Sequence, residues 1–404
     1  MSNYKLLEHI RNIYAEYPRQ FWILILGVFI DRLGGALMFP FLTLYITQKF
    51  SVGMTEVGLI FGLVSLSSIV GSVLGGALTD RFGRKGMVIF GLLISAFINL
   101  MVGLVNSIEL IYVGALFIGL FGNAGGPAQQ AMVADLLPEE KRAQGFGLLR
   151  VVVNLAVVIG PAIGGLLATR SYLLLFICDA VASTITAGIV ALAIRETKPA
   201  LREGEPEQTM GQAFGGYRDV LRDGAFVLFI GACILMTTVY MQMNTTLSVY
   251  LRDVHSVSEQ GFGYILSLNA AMVVLFQFYI TRRIARYKPL IVMAAGTLLY
   301  AIGFGMYGFV SAYVLFLAAM VIITIGEMLV APTSQALVAE LAPDDMRGRY
   351  MAVFGFSWVI PSAVGPLLAG LVMDNFDPRW VWYAGGLVGL IAAWSFALLQ
   401  RRVR

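Results

Sequence analysis

Two carboxylates, Asp31 and Glu327, each fall inside an apolar run long enough to cross a bilayer. A charged side chain at the bilayer centre costs about 2.5–3.5 kcal/mol on insertion scales, so such a residue marks chemistry by default. Asp31 enters its run by roughly 15 Å, at about 1.5 Å per residue. Glu327 lies near the middle of its own run. Burial disfavours the charged form of a carboxylate, so such a group can hold a proton until a cation displaces it. Three further charged residues sit well inside apolar runs. Arg32 adjoins Asp31 and offers the alternative of neutralising it. Arg150 either pairs with a carboxylate or snorkels to the membrane surface. For Asp179, a structural hydrogen bond is the expected role.

A second set of residues could move rather than react. Residues 75–85 read GGALTDRFGRK, a glycine turn carrying an acid and several bases: Gly76, Asp80, Arg81, Gly83, Arg84 and Lys85. Such a cluster can form ion pairs in one conformer and lose them in another. The segment GPAIGG holds Gly160, Pro161, Gly164 and Gly165. Small residues there allow close helix packing, and the proline bends the chain. Met236, Tyr240, Met243 and Asn244 fall at i, i+4, i+7 and i+8 of one run. Thioethers adapt to varied shapes and aromatic faces attract cations, which suits a ligand cavity. Asn154, Asn269, Gln277, Phe354 and Trp358 are further polar or aromatic contributors, with ordinary helix packing as the alternative for each.

Other chemistries are excluded. Cys178 and Cys233 lie in apolar runs, and His9 and His255 are far apart. They provide no disulfide framework, and no metal site is expected. Gly303, Gly305 and Gly308 match G-x-G-x-x-G but lie inside an apolar run with no preceding strand. A phosphate-binding G-x-x-x-x-G-K-[ST] loop, a Ser-His-Asp set and a zinc set are all lacking. Neither a catalytic centre nor a cofactor is expected.

The elements that must hold these residues are membrane helices. Of the 404 residues, 58% are apolar and 13% charged, and the mean hydropathy is +0.81. A soluble domain is about one quarter charged. Disorder, a disulfide scaffold and nucleic-acid binding are thereby excluded. Twelve spans of about 20 apolar residues are expected, at 21–47, 54–79, 86–105, 108–133, 143–169, 172–195, 224–250, 259–281, 288–310, 313–338, 348–373 and 379–399. Residues 1–17 repeat their apolar positions at helical spacing, which suits a helix lying on the membrane surface. Residues 196–223 form a polar linker.

Placing the amino terminus inside puts 22 of the 28 Lys and Arg residues on inside segments. That bias predicts both termini in the cytoplasm and a cell-membrane location. It also explains the net charge of +4 without an acidic partner. Residues 127–142, PAQQAMVADLLPEEKR, match 332–347, PTSQALVAELAPDDMR, at an offset of 205. The same offset carries Gly160-Pro161 onto Gly365-Pro366 and Gly165 onto Gly370. The chain is therefore read as an all-α membrane protein of two pseudo-symmetric six-helix bundles, 18–195 and 224–404. Parallel repeats of this kind bind a small molecule near the midplane and alternate access to it. No feature requires an oligomer, so a monomer is expected.

The loop GGALTDRFGRK resembles the G-x-L-x-D-R-x-G-R-K signature of the major facilitator superfamily. The resemblance implies that Asp80 faces the amino end of helix 11 and that Arg84 pairs with Asp135, holding the cytoplasmic side shut. GPAIGG resembles the helix-5 signature of the drug:proton antiporters of that superfamily. Asp31, Gly34, Pro40 and Tyr45 are similar to their first helix, and Glu327 to a proton-linked glutamate of lactococcal-type multidrug exporters. One departure is plain: helix 4 lacks the arginine of R-x-x-x-G, and Asn123 is its most polar midspan residue. The resemblance implies proton-coupled efflux of lipophilic or cationic compounds. A dedicated metabolite exporter and a lipid or glycolipid flippase of the same fold remain the alternatives. A membrane sensor that moves nothing is the reading from another class.

Overall fold

The computed structural model describes residues 16–122, 125–197, 220–343 and 346–402. All regular structure among them is helical, and twelve stretches are long and apolar enough to cross a membrane. In chain order the helices are α1 (Arg19–Met38), α2 (Leu42–Phe50), α3 (Met54–Phe82), α4 (Arg84–Leu104) and α5 (Ile108–Phe117). They continue with α6 (Gly125–Leu136), α7 (Glu139–Ala168), α8 (Tyr172–Ala193), α9 (Gly224–Thr245) and α10 (Leu247–His255). The chain ends with α11 (Glu259–Ile284), α12 (Pro289–Phe309), α13 (Tyr313–Leu341), α14 (Arg347–Asn375) and α15 (Arg379–Arg402). Nearly all of the expected surface helix 1–17 and of the linker 196–223, together with Asn123, lies outside the described residues.

Three of the expected spans are broken, two of them for a plain local reason. Pro40 supplies no N–H and crowds the preceding turn, so a 3-10 turn at Phe39–Phe41 separates α1 from α2. A π-helical turn, Ile118–Gly122, ends α5. The break between α9 and α10 has no proline. There Thr245 Oγ1 donates to the Met241 carbonyl at 3.0 Å, and the Thr246 hydroxyl bonds the Gln242 side chain. Hydroxyls that bond back one turn bend a helix.

The internal repeat is visible in these breaks. α2 and α10 are both nine residues long and begin 205 residues apart. Each is closed by a serine in the left-handed region, Ser51 at φ 52° and Ser256 at φ 54°, again 205 apart. Few non-glycine residues adopt that conformation, so its recurrence at the repeat offset identifies one supersecondary unit used twice.

The chain divides into two compact units that cut across the sequence halves. The first comprises the described parts of Met1–Met38, Ser67–Gly160 and Ser171–Leu201. The second comprises those of Phe39–Leu66, Pro161–Arg170 and Arg202–Arg404. Within the second unit, α2, the first turns of α3 and the last turns of α7 pack on helices of the second sequence half. Thr43 Oγ1 and Ser248 Oγ lie 2.8 Å apart, at the repeat offset itself. Asp374 at the end of α14 accepts the amide hydrogens of Met54 (2.9 Å) and Thr55 (2.7 Å), capping α3. Arg252 donates to the Leu44 carbonyl and the Thr47 hydroxyl.

The first unit's core joins Phe21, Leu24 and Val28 of α1 to Met87 and Val88 of α4, Met132 and Val133 of α6, and Val190 of α8. The second unit buries Tyr250, Phe304, Tyr307, Phe316 and Trp382 almost completely. Outer faces are apolar instead: Leu192 is 92% exposed, Phe278 73% and Val314 72%. In water such faces invite association; in a bilayer they meet lipid.

Candidate functional site

In the second unit, four helices converge on one carboxylate. Glu327 stands on α13, one turn after Thr324. Its Oε1 accepts the Tyr240 hydroxyl from α9 at 3.1 Å. Its Oε2 accepts Asn269 Nδ2 from α11 at 2.8 Å. Asn269 Nδ2 also reaches Thr324 Oγ1 at 3.0 Å. The Tyr240 ring lies 5.5 Å from Tyr300 of α12 and 6.1 Å, edge-on, from Trp358 of α14. No ion pair involves Glu327 among the described residues. Two neutral donors satisfy the ionised form, and the charge is left for a proton or a cation.

In the first unit, two acids meet between α1 and α8. Asp31 Oδ1 accepts the Ser183 hydroxyl at 2.8 Å. Asp179 stands one turn before Ser183 on the same helix, and its Oδ2 accepts Asn99 Nδ2 from α4 at 2.7 Å. Close helix packing brings them together. Thr186 Oγ1 donates to the Gly27 carbonyl at 3.0 Å. A Cβ at Gly34 would stand 2.8 Å from Ala182 Cβ and 3.0 Å from Asp179 Cα. Asp179 has the structural hydrogen bond expected of it. What sequence reasoning missed is that it shares a site with Asp31. The signal was present: Asp179, Ser183 and Thr186 stand at i, i+4 and i+7, facing Gly27, Asp31 and Gly34 at the same spacing.

The loop after α3 is held within the first unit. Arg84 forms an ion pair with Asp135 of α6. Glu196, beyond α8, accepts the amide hydrogens of Arg84 at 2.9 Å and Lys85 at 3.2 Å. Its carboxylate lies against Gly83, which has φ +88°. Lys85 Nζ donates to the Ala191 carbonyl at 2.6 Å. Glu196 as a cap on α4 went unforeseen, because 112 residues separate it from Arg84. Gly76, Asp80 and Arg81 lie in the last turns of α3, and the side chains of Asp80 and Arg81 are not among those described.

The other expected site residues are spread. In the first unit Gly160 packs on Ala36 of α1. In the second, a Cβ at Gly165 would meet the Glu259 carbonyl at 2.9 Å, and one at Gly263 would meet the Pro161 carbonyl at 2.6 Å. Gly164 is buried. Met236 and Met243 are buried in the second unit, and of the expected lining Tyr240 and Asn269 bond Glu327, with Trp358 edge-on to the Tyr240 ring. Asn244 and, in the first unit, Asn154 are half-buried, and Arg150 is exposed. Among the described residues no group of three or more His, Cys, Asp or Glu side chains is placed to hold a metal ion.

The family model described as Major Facilitator Superfamily matches residues 24–358 and 244–404. The chain is 27% identical to the Na(+), Li(+), K(+)/H(+) antiporter of Planococcus maritimus, over 96% of this chain and 98% of that one. It is 23% identical to the multidrug resistance protein MdtH of Shigella flexneri, over 93% and 94% of the two chains. The crystal structure of a POT family transporter in complex with 5-aminolevulinic acid superposes with a TM-score of 0.80 at 17% identity, covering 96% of this chain and 97% of that one.

Proposed function

The chain belongs to the major facilitator superfamily, and on that premise we propose that it exports lipophilic or cationic compounds in exchange for protons. The observation that carries this reading is Glu327, held by Tyr240 and Asn269 with no cationic partner among the described residues. A proton and a cationic substrate compete for that carboxylate. The aromatic rings of Tyr240 and Trp358 favour a cation beside it. The names of the two relatives, an antiporter and a multidrug resistance protein, support exchange and drug efflux respectively.

Alternating access needs contacts that form and break. We assign the Arg84–Asp135 pair and the Glu196 cap to the cytoplasmic side. The contacts of α2 and α10, with the Asp374 cap, belong to the opposite side. This assignment uses the basic-residue bias, which also puts both termini in the cytoplasm.

A second reading is exchange of a small inorganic cation for protons. Asp31, Asp179 and Ser183 offer hard oxygen atoms, and one relative bears that activity in its name. Proteoliposome flux under an imposed pH gradient tests both readings. A fluorescent lipophilic cation moving uphill, sensitive to protonophore and lost in Glu327→Gln, supports drug efflux. Movement of Na+ or K+ alone, lost in Asp31→Asn, supports the second reading. No uphill movement of either overturns proton antiport.

A further inference from the structure

The first unit contains a basic cavity that the transport reading does not use. It measures about 590 Å³, within the roughly 300–1,000 Å³ of small-molecule sites. Arg19 and Gln20 open α1 on one side of it. Lys85 of α4 and Arg195, beyond α8, stand on the others. Ile23 and Leu192 complete an apolar wall.

Three cations share this space. Arg19 and Arg195 form no ion pair among the described residues. Lys85 gives the Ala191 carbonyl one of its three hydrogens. Glu196, the acid nearest in sequence, bonds the amide hydrogens of α4. An anion placed among like charges that line one cavity offsets their mutual repulsion. The wall adds a second requirement. Leu192 is 92% exposed at the end of a membrane-spanning helix, where an apolar side chain meets acyl chains. The ligand must therefore carry an anionic head and an apolar tail. Basic pockets between membrane helices on the cytoplasmic side hold lipid headgroups in this way.

We propose that this cavity binds an anionic phospholipid, its phosphodiester between Arg19, Lys85 and Arg195 and an acyl chain along Leu192 and Ile23. Binding does not depend on what the protein transports, so it is read without flux. The full chain, purified in neutral detergent and stripped of lipid, is titrated with phosphatidylglycerol, phosphatidylcholine or inorganic phosphate. Native mass spectrometry and the apparent Tm report binding. Phosphatidylglycerol should give a saturable one-to-one adduct and raise the Tm, and the other two should not. Arg19→Gln with Arg195→Gln should weaken that adduct at least about tenfold, which is about 1.4 kcal/mol. Arg282→Gln with Arg286→Gln, which removes equal charge elsewhere, should leave it unchanged. Leu192→Gln, at an exposed position that folding tolerates, should also weaken it. Equal binding by the Arg19/Arg195 variant, or equal Tm shifts from inorganic phosphate, overturns the proposal.

Discussion

At the scale of the residue, the protein's chemistry reduces to a few polar side chains among apolar ones. Glu327 has its ionised form satisfied by two neutral donors, and a hydrogen bond to a charged group contributes about 1.5–3 kcal/mol. Glu327→Gln should therefore abolish uphill movement of a cationic substrate while leaving passive exchange of a neutral one, measured in the same proteoliposomes. Tyr240→Phe removes one donor and should raise the KM for the cation about tenfold. His255 lies outside the spans, at the end of α10. Burial, and then the Arg379 charge, hold its pKa below the usual 6.5. Its ring nitrogen Nε2 lies 3.2 Å from the Tyr250 hydroxyl, which itself donates to the Tyr307 carbonyl. The neutral ring is the form that the fold favours. That contribution is complete above pH 6.5 and is lost as pH falls through the lowered value. The apparent Tm should thus drop from about pH 6.5 downward, and His255→Asn should make the drop shallower.

At the scale of the element, helix ends are where sequence-distant groups do most of the holding. α4 starts at a glycine with φ +88°, and a Cβ there would collide with the Glu196 carboxylate. A carboxylate at a helix amino terminus contributes about 0.3–1 kcal/mol through the helix dipole, and losing a cap costs about 1 kcal/mol. Glu196→Ala should lower the apparent Tm modestly. Gly83→Ala should lower it more, because it combines a disfavoured φ with displacement of the cap. A smaller effect for Gly83→Ala than for Glu196→Ala in scanning fluorimetry would remove Glu196 from this role.

At the scale of the whole molecule, the repeat governs contacts as well as sequence. Gly58 and Gly263 stand 205 residues apart in the chain, and so do their neighbours Pro366 and Pro161. A Cβ at Gly58 would lie 2.6 Å from the Leu367 amide nitrogen, and one at Gly263 2.6 Å from the Pro161 carbonyl. Gly58→Leu and Gly263→Leu should accordingly impair transport to a similar degree, and each should leave the other contact intact. Widely different losses from the two variants would mean that the repeat survives in the backbone alone.

Much of this architecture could be read directly from the chain. Twelve runs, their inside–outside charge bias and the 205-residue repeat follow from hydropathy and spacing, because a membrane helix must satisfy its own backbone and bury an apolar surface. The loop signature and Glu327 were legible for the same reason: charge and glycine stand out in an apolar sequence. The rest needed the tertiary structure. Asp31 meets Asp179 only because Gly27 and Gly34 let α1 and α8 approach closely. Glu196 reaches α4, Asp374 reaches α3, and Arg19, Lys85 and Arg195 surround one cavity. Each of these depends on which helices are neighbours, and hydrophobic periodicity carries no record of the partner, since every lipid- or protein-facing stripe is equally apolar.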